Sequence, residues 1–366
     1  MTKAAELAKM GEVLTNSQIG GRRNMIINGG MNVFQRSTSA TDLGASSGYF
    51  SADRFKIFSS TSGRVTMSQS SDTPNGFGNS LKIDVTTADT SIASDELFIL
   101  SYAMEGQDAQ MIKKGTSEAE SLTMSFYAKA NASANYVVEM YDQDNTRNNT
   151  QAFTVTDSWQ RFSFTFAPDT TGALDDDNAL SFYPIQIWLH GGSNYSSGTF
   201  ASNTWGSVTN ANRYAGSRTS IFDSTDREFY VTGVQVEVGS QATPFEHRSF
   251  GEELSLCQRY YQVVPKYTFF NGAVEVSTNS LRGGVPITRP LRASPTIGNI
   301  TLIVYDDDDT SFSNAAHAVF ANSGSYEVDG TTGFLSVVFN GNLSGRTDNH
   351  NVTALYGTDG TLDSEL

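Results

Sequence analysis

The chain has 366 residues and a formal net charge of −15, with 39 acidic side chains against 24 Lys and Arg. This balance argues against a nucleic acid as partner, because phosphate binding requires clustered Lys and Arg. Only 38% of the residues are hydrophobic, whereas Gly (32), Phe (23) and Tyr (15) are numerous, which is typical of a sheet protein with many turns. No apolar run approaches the ~20 residues that span a bilayer, so we expect no membrane insertion.

Residues 1–23 are predicted to form a short N-terminal helix that docks the protein to another surface or to copies of itself. Apolar side chains recur at helical spacing at Leu7, Met10 and Leu14, among good helix formers. A helix this short is marginal in water by itself, so it needs a partner. The alternative is a frayed leader.

Residues 24–248 are predicted to form one large antiparallel β-domain. Segments of alternating apolar and polar residues recur without intervening helices, which favours two packed sheets, and eight or more strands fit a jelly roll. The segments are Arg64–Gln69, Ser80–Val85, Leu122–Ala128, Tyr136–Tyr141, Gln151–Val155, Gln160–Phe166, Ile185–Leu189 and Phe229–Val238.

The sequence changes period at the end of this domain. Apolar residues alternate along Phe229–Val238 with a slip at Gly233, which suits a β-bulge. A connecting helix is predicted over 249–262, with Glu252 and Glu253 in its first turn, where the positive helix end favours acidic groups. Its apolar stripe is predicted to comprise Phe250, Leu254, Cys257 and Tyr261.

Residues 263–366 are predicted to form a second, smaller β-domain. Its predicted strands are Lys266–Phe270, Ala273–Ser277, Ile300–Tyr305, His317–Phe320, Ser325–Val328 and Phe334–Phe339. Cys257 is the only cysteine in the chain, so no internal disulfide forms, and its place on the helix favours the role of a small buried hydrophobe.

One acidic run is a candidate metal site. Asp175, Asp176, Asp177 and Asn178 offer four oxygen side chains in a loop, the ligand type that calcium prefers. They lack the regular spacing of a calcium-binding loop, and the alternative is a solvated turn. Apart from this structural calcium, no cofactor is predicted.

No catalytic residue is predicted. The four histidines, at 190, 247, 317 and 350, have no metal-ligand spacing, and no Gly-x-Ser-x-Gly elbow occurs. A glycosidase needs a pair of carboxylates, but 39 acidic residues leave such a pair unidentifiable from the sequence. We therefore expect that the protein is not an enzyme.

The long loop over 190–214 has the composition of a sugar-binding surface. It combines aromatic rings with Asn, Ser and Gly, and rings cover the apolar face of a sugar while short polar groups bind its hydroxyls. The alternative is that these rings plug the sheet beneath the loop. The candidate glycan-binding residues are Tyr195, Phe200, Trp205 and Tyr214.

Several segments resemble, in order, a family of tail-fibre and other virion proteins of phages that infect marine and aquatic bacteria. The strongest is Val231–Gln262, and together the segments cover roughly residues 22 to 300. The others are Asn24–Arg36, Ser51–Phe55, Pro74–Ile83, Glu105–Gly106, Lys114–Thr116, Thr123–Lys129 and Pro286–Thr296.

The resemblance implies an all-β protein whose main domain is a jelly roll like that of carbohydrate-binding modules. It further implies a homotrimer made in the host cytoplasm, carried on the virion and bound to other virion proteins and to host surface polysaccharide. The expected function is that of a tail fibre in host attachment. The alternatives are a capsid or tail decoration protein that binds no receptor, and a glycan-degrading depolymerase.

Overall fold

The structure is a computed structural model of the chain. It describes residues 3, 23–176, 184–265, 269–275, 280–293, 295–298, 301–306, 319–321, 334–340, 351–356 and 360–365. The predicted N-terminal helix, with Leu7, Met10 and Leu14, lies outside the described residues. The chain divides into two compact units, Met1–Glu253 and Leu254–Leu366.

The first unit contains two antiparallel sheets and short helical turns. Sheet A has the strand order β1-β4-β5-β13-β7-β10, and sheet B has the order β12-β9-β8-β11-β6-β3-β2. The helices of four residues are α1 (Gly106–Ala109) and α2 (Ser193–Ser196). The strands are β1 (Ser39–Leu43), β2 (Gly48–Tyr49), β3 (Phe55–Ser60), β4 (Arg64–Ser70), β5 (Ser80–Thr87), β6 (Leu97–Tyr102), β7 (Leu122–Ala130), β8 (Ala134–Asp142), β9 (Arg147–Val155), β10 (Gln160–Phe166), β11 (Ile185–Gly191), β12 (Gly206–Ser207) and β13 (Glu228–Val238).

The inner faces of sheets A and B pack on each other through aromatic rings. Tyr136 on β8 meets Phe229 on β13 with 5.7 Å between ring centroids, and Phe153 on β9 meets Phe126 on β7 at 5.4 Å. All four side chains are buried, and burying such large rings is the main stabilisation of a sandwich core. The predicted all-β, jelly-roll sandwich is confirmed, and each of the eight predicted strand segments lies in a strand of this unit.

The predicted bulge in the closing strand is confirmed. The register of β13 against β7 shifts between Thr232 and Gln235, and Gly233 there has φ +63°. A Cβ at this position would lie 2.7 Å from the ring of Phe77. Glycine is therefore required both by the left-handed backbone and by the close ring.

Helix α3 (Phe250–Cys257) follows the closing strand and is shorter than the sequence predicts. Cys257 is buried as expected, but the side chain of Phe250 is 60% exposed, so it does not extend the apolar stripe. Tyr261 is not helical and begins strand β14 (Tyr261–Val264), where it pairs with Asp363. Strand pairing has overridden the local helical period.

The second unit is also antiparallel. It contains a sheet of order β14-β22-β17 and one of order β19-β18-β21-β15-β16-β20. The predicted strands near 300–305 and 334–339 are confirmed as β18 and β20. The strands are β15 (Phe269–Glu275), β16 (Ser280–Pro286), β17 (Thr296–Gly298), β18 (Thr301–Asp306), β19 (Val319–Ala321), β20 (Phe334–Asn340), β21 (Asn351–Tyr356) and β22 (Gly360–Asp363).

Within the described part of the chain, none of the helices combines the length and the apolar character that crossing a membrane requires.

Candidate functional site

The outer face of sheet B gathers polar and aromatic side chains. Because Tyr136 and Phe153 face the core, strand alternation places Val137, Glu139 and Tyr141 of β8 on the outer face. The strand register then defines two rows of side chains that cross the sheet. The polar row is Tyr49, Lys56, Ser101, Gln186, Glu139 and Thr150, and the apolar row is Phe58, Ile99, Trp188, Val137 and Ala152.

A loop covers one half of this face. We call residues 192–220 the covering loop. Its Tyr214 ring stacks on Trp188 with 6.0 Å between centroids and 25° between planes, and its Tyr195 ring lies 5.5 Å from Trp188. The amide of Thr219 donates to the carbonyl of Asn135 at the start of β8 over 3.0 Å. The loop is therefore docked by both rings and backbone.

The other half of the face is more open. Phe58 on β3 is 46% exposed, and Tyr49 and Lys56 are half-buried. The Lys56 ammonium lies 5.5 Å from the centroid of the Tyr49 ring, within the range of a cation–π contact. This edge of sheet B thus presents rings and a cation to solvent.

A buried ion pair links the covering loop to the outer face of sheet B. The Glu139 carboxylate accepts hydrogen bonds from Arg213 Nε at 2.9 Å, Arg213 Nη2 at 2.8 Å, Trp188 Nε1 at 2.7 Å and Asn148 Nδ2 at 2.6 Å. Burial opposes the charged form of Arg213, but the neighbouring carboxylate more than offsets it, so the pKa of Arg213 is raised. Such a satisfied, charge-assisted network holds its members in one geometry.

Four polar groups around this pair remain without a protein partner among the described residues. Gln186 accepts from Arg213 Nη2 at 3.1 Å through its oxygen, but its Nε2 donates to none of them. Asn148 Oδ1, Ser101 Oγ and the Tyr141 hydroxyl likewise have no hydrogen-bond partner among these residues. None of the four atoms is fully buried. They reach solvent and are available to a ligand.

The four candidate glycan-binding residues occupy different environments. Tyr214 is 2% exposed, and its hydroxyl donates to the carbonyl of Thr219 at 2.7 Å. Its ring therefore packs between the covering loop and sheet B and does not face a ligand. Tyr195, Phe200 and Trp205 are half-buried. The structure brings Tyr195 and Tyr214 together on Trp188, as described above.

Trp205 lies apart from that pair. It immediately precedes β12 at the edge of sheet B, and its Nε1 donates to the carbonyl of Ala167 at 2.7 Å. The Lys114 ammonium is 5.8 Å from its ring centroid. Lys114 is itself buried and paired with Asp142 at 2.5 Å and Asp169 at 3.1 Å. Because these charges are mutually satisfied, we assign them a structural role.

The candidate metal ligands are only partly described. Asp175 and Asp176 are exposed, and Asp177 and Asn178 lie outside the described residues. Among the residues that the structure describes, no group of three or more His, Cys, Asp or Glu side chains is arranged to hold a metal ion. A calcium site that uses Asp177 and Asn178 stays a prediction.

His190 is buried on β11, where its ring packs edge-on against Phe222 with 5.4 Å between centroids. Its Nδ1 lies 2.8 Å from Ser220 Oγ, and its Nε2 is 3.7 Å from Glu96 and has no hydrogen-bond partner. Burial lowers the pKa of His190 to about 4. The side chain is therefore a neutral core imidazole at neutral pH.

Asn28 and Arg248 make scaffold contacts around the strand-to-helix junction. Asn28 donates from Nδ2 to the carbonyls of Val33 and Asp53, and its amide donates to Glu253 at 2.5 Å. Arg248 donates to the carbonyl of Ile26 at 2.9 Å. These hydrogen bonds tie the strand-to-helix junction together. These contacts specify the fold rather than a ligand.

Glu139, Arg213 and Trp188 were not among the candidate residues predicted from the sequence. The available signal was Glu139 itself, a lone carboxylate within the otherwise apolar strand Tyr136–Tyr141. A charge in that position requires a partner, but the partner is 74 residues away along the chain. Only the fold brings the two together.

No protein-family model matches this chain, and no curated protein matches it in sequence. Among solved structures, it is similar to carbohydrate-binding modules. One is a CBM4 module, with 15% identity, 58% of this chain and 97% of that chain covered, and a TM-score of 0.29. Another is a family 11 module from Clostridium thermocellum in complex with a β-1,3-1,4-mixed-linked tetrasaccharide, with 14% identity, coverages of 57% and 99%, and a TM-score of 0.27.

The chain is also similar to the enzymatically active domain of tailspike protein 4 from bacteriophage CBA120. The identity is 11%, the TM-score is 0.28, and 59% of this chain and 21% of that chain are covered. The chain therefore spans about a fifth of the tailspike structure. These likenesses state what the chain resembles, and they do not identify its ligand.

Proposed function

We propose that this protein is a non-enzymatic phage virion protein of the tail-fibre kind, which binds host surface polysaccharide through the outer face of sheet B. The observation that carries the glycan part is the set of four polar groups on this face that lack protein partners among the described residues. A sugar presents hydroxyls beside an apolar ring face, so its recognition needs hydrogen-bonding groups next to aromatic side chains. Tyr195, Tyr49 and Phe58 supply such rings on the same face.

The Glu139–Arg213 pair supports this proposal by preorganising the face. Gln186 and Asn148 are each held by one hydrogen bond to the pair and keep a second polar atom free. Groups that are already ordered lose little conformational entropy when a ligand binds, which increases affinity.

The virion part of the proposal rests on the family resemblance. The chain would form a homotrimer, be made in the host cytoplasm, and attach to other virion proteins through residues 1–23, with Leu7, Met10 and Leu14 as the docking stripe. Deletion of residues 1–21 is expected to abolish incorporation into particles without changing unfolding of the first unit. Normal incorporation of the truncated chain would contradict this docking role.

The glycan part is tested by removing one hydroxyl from each side of the sandwich. Tyr141→Phe removes a free hydroxyl from the proposed face and keeps the ring, over which the Arg213 guanidinium lies at 5.0 Å. Tyr127→Phe is the matched control, because Tyr127 is a half-buried tyrosine on the outer face of sheet A. A neutral hydrogen bond contributes about 0.5–1.5 kcal/mol, so Tyr141→Phe should weaken binding to extracted host polysaccharide roughly 2- to 10-fold. The control should bind like the unmodified chain.

Equal binding by the two variants would refute this face as the site. The unmodified protein should also bind intact host cells saturably and compete with phage adsorption. A lack of binding to all host cells would favour the decoration protein instead, and release of reducing ends from the polysaccharide would favour the depolymerase.

A further inference from the structure

Phe200 and Arg218 of the covering loop form a second feature of this face. The guanidinium carbon of Arg218 lies 4.4 Å above the centroid of the Phe200 ring. Both side chains are half-buried. This distance lies within the range of a cation–π contact, which arginine makes readily with aromatic rings.

The backbone on both sides of this contact is held in place. The amide of Thr199 donates to Asn212 Oδ1 at 2.9 Å, next to Phe200. The hydroxyl of Thr219 accepts from the amide of Asn135 at 3.0 Å, and its carbonyl accepts from Tyr214, next to Arg218. The ring and the cation are therefore presented from anchored positions.

Arg218 nevertheless has no anionic partner. Among the described residues, no carboxylate lies within 4.0 Å of it, its single hydrogen bond is to the carbonyl of Ser217 at 3.4 Å, and its Nε is fully buried without an acceptor. Two other arginines of this unit differ. Arg213 makes a bidentate ion pair with Glu139, and Arg227 makes one with Asp223 at 2.6 and 2.7 Å.

An unpaired, partly desolvated cation is costly, and burial accordingly lowers the pKa of Arg218 from its ordinary value. The chain has 39 acidic side chains, yet no described carboxylate neutralises this position. An anion delivered from outside would supply the missing charge and accept from Arg218 Nη2, which is not among the fully buried atoms. It would recover the charge-assisted bonds that other arginines of the fold already make.

We propose that Arg218 and Phe200 form a subsite for an anionic substituent of the bound glycan, a sulfate ester or a uronate carboxylate, with the guanidinium binding the anion and the Phe200 ring supporting the sugar. This inference rests on the proposed glycan-binding function and names the ligand class. The overall charge of −15 disfavours a dense polyphosphate, whereas it tolerates single charges spaced along a polysaccharide, because one local cation is enough to bind each of them.

The first test observes Arg218 directly in the full-length protein. The chain is labelled with ¹⁵N-arginine, and the Nε–Hε signals of Arg218 and Arg227 are assigned with Arg218→Lys and Arg227→Lys. Sodium sulfate and sodium glucuronate are titrated separately, with sodium chloride and glucose as controls. We expect a saturable shift of the Arg218 signal with at least one of the two anions, and the active anion distinguishes sulfate from carboxylate. The signal of Arg227, already paired with Asp223, should not move.

No shift with either anion, or equal shifts of both arginines, would overturn the subsite. Phe200→Ala should weaken the response several-fold if the ring holds the guanidinium in place. A response that Phe200→Ala leaves unchanged would remove the ring from the proposal and leave a simple surface cation, which also contradicts the inference.

The second test separates this inference from the proposed function. Arg218→Gln should weaken binding to an anionic host polysaccharide roughly 10- to 100-fold, as expected for a charge-assisted bond, while Lys113→Gln, which removes an exposed charge elsewhere, should not. If Tyr141→Phe weakens glycan binding but the Arg218 signal shifts with neither anion, the glycan-binding face is supported and the anionic subsite is refuted. If the Arg218 signal shifts with an anion but Tyr141→Phe does not change glycan binding, the subsite is supported and the proposed face is refuted.

Discussion

Replacing Glu139 by Gln is expected to undock the covering loop from sheet B. The substitution keeps the shape of the side chain but removes its charge, which leaves the Arg213 guanidinium, with a side chain only 12% exposed, without its counter-ion. Breaking one partner of a buried pair costs about 3–5 kcal/mol. For a unit of this size that corresponds to a decrease in melting temperature of roughly 6–20 °C.

Tryptophan fluorescence is the assay for this change. All three tryptophans, Trp159, Trp188 and Trp205, belong to the first unit, so their emission follows its unfolding independently of the second unit. The double variant Glu139→Gln, Arg213→Gln removes both charges and should be less destabilised than the sum of the two single variants, since its members are coupled.

Two results would refute this reasoning. A melting temperature of Glu139→Gln equal to that of the unmodified protein would show that the pair contributes nothing to the stability of the docked loop. Strict additivity in the double variant would show that Glu139 and Arg213 act independently despite their contacts.

Three further predictions concern the same unit. Because burial lowers the folded pKa of His190 to about 4, below the unfolded value of ~6.5, its stabilising effect is complete above about pH 6.5 and is lost as the pH falls towards 4. The free energy of unfolding should decrease by about 3 kcal/mol over this range, and His190→Gln should abolish this pH dependence. Gly233→Ala should destabilise the unit by more than about 1 kcal/mol because its Cβ meets Phe77, whereas Gly206→Ala, with nothing within 4 Å, should be nearly neutral by chemical denaturation. Tyr214→Ala should lower the free energy of unfolding by about 3–5 kcal/mol, as for a buried ring, while Phe200→Ala leaves the melting temperature unchanged. Equal destabilisation by the two substitutions would contradict the different burial of the two rings.

The fold could be predicted from the sequence wherever one face of a strand is buried and the other is not. Arg64–Gln69 and Gln160–Phe166 alternate clearly and were identified as strands. Strand β6 (Leu97–Tyr102) was not, because every one of its residues is buried and it begins with the continuous apolar run Leu97–Leu100. Periodicity alone does not separate such a run from a buried helix.

The candidate site was predictable only as a region. Composition identified the aromatic loop, but Tyr214 and Phe200 are equivalent at that level. Their difference arises because Tyr214 stacks on Trp188, a residue of β11 whose outward orientation depends on its register with β8. Register is a property of strand pairing, so the exposed ring could not be distinguished from the buried one in advance.

The scaffold contacts and the proposed glycan contacts use different residues. Asn28 and Arg248 make hydrogen bonds that fix the strand-to-helix junction. Tyr141, Gln186 and Arg218, which carry the proposed glycan contacts, take no part in these bonds. Substitutions at the latter three positions leave the buried hydrogen bonds of the scaffold intact, so ligand preference can change while the fold is kept.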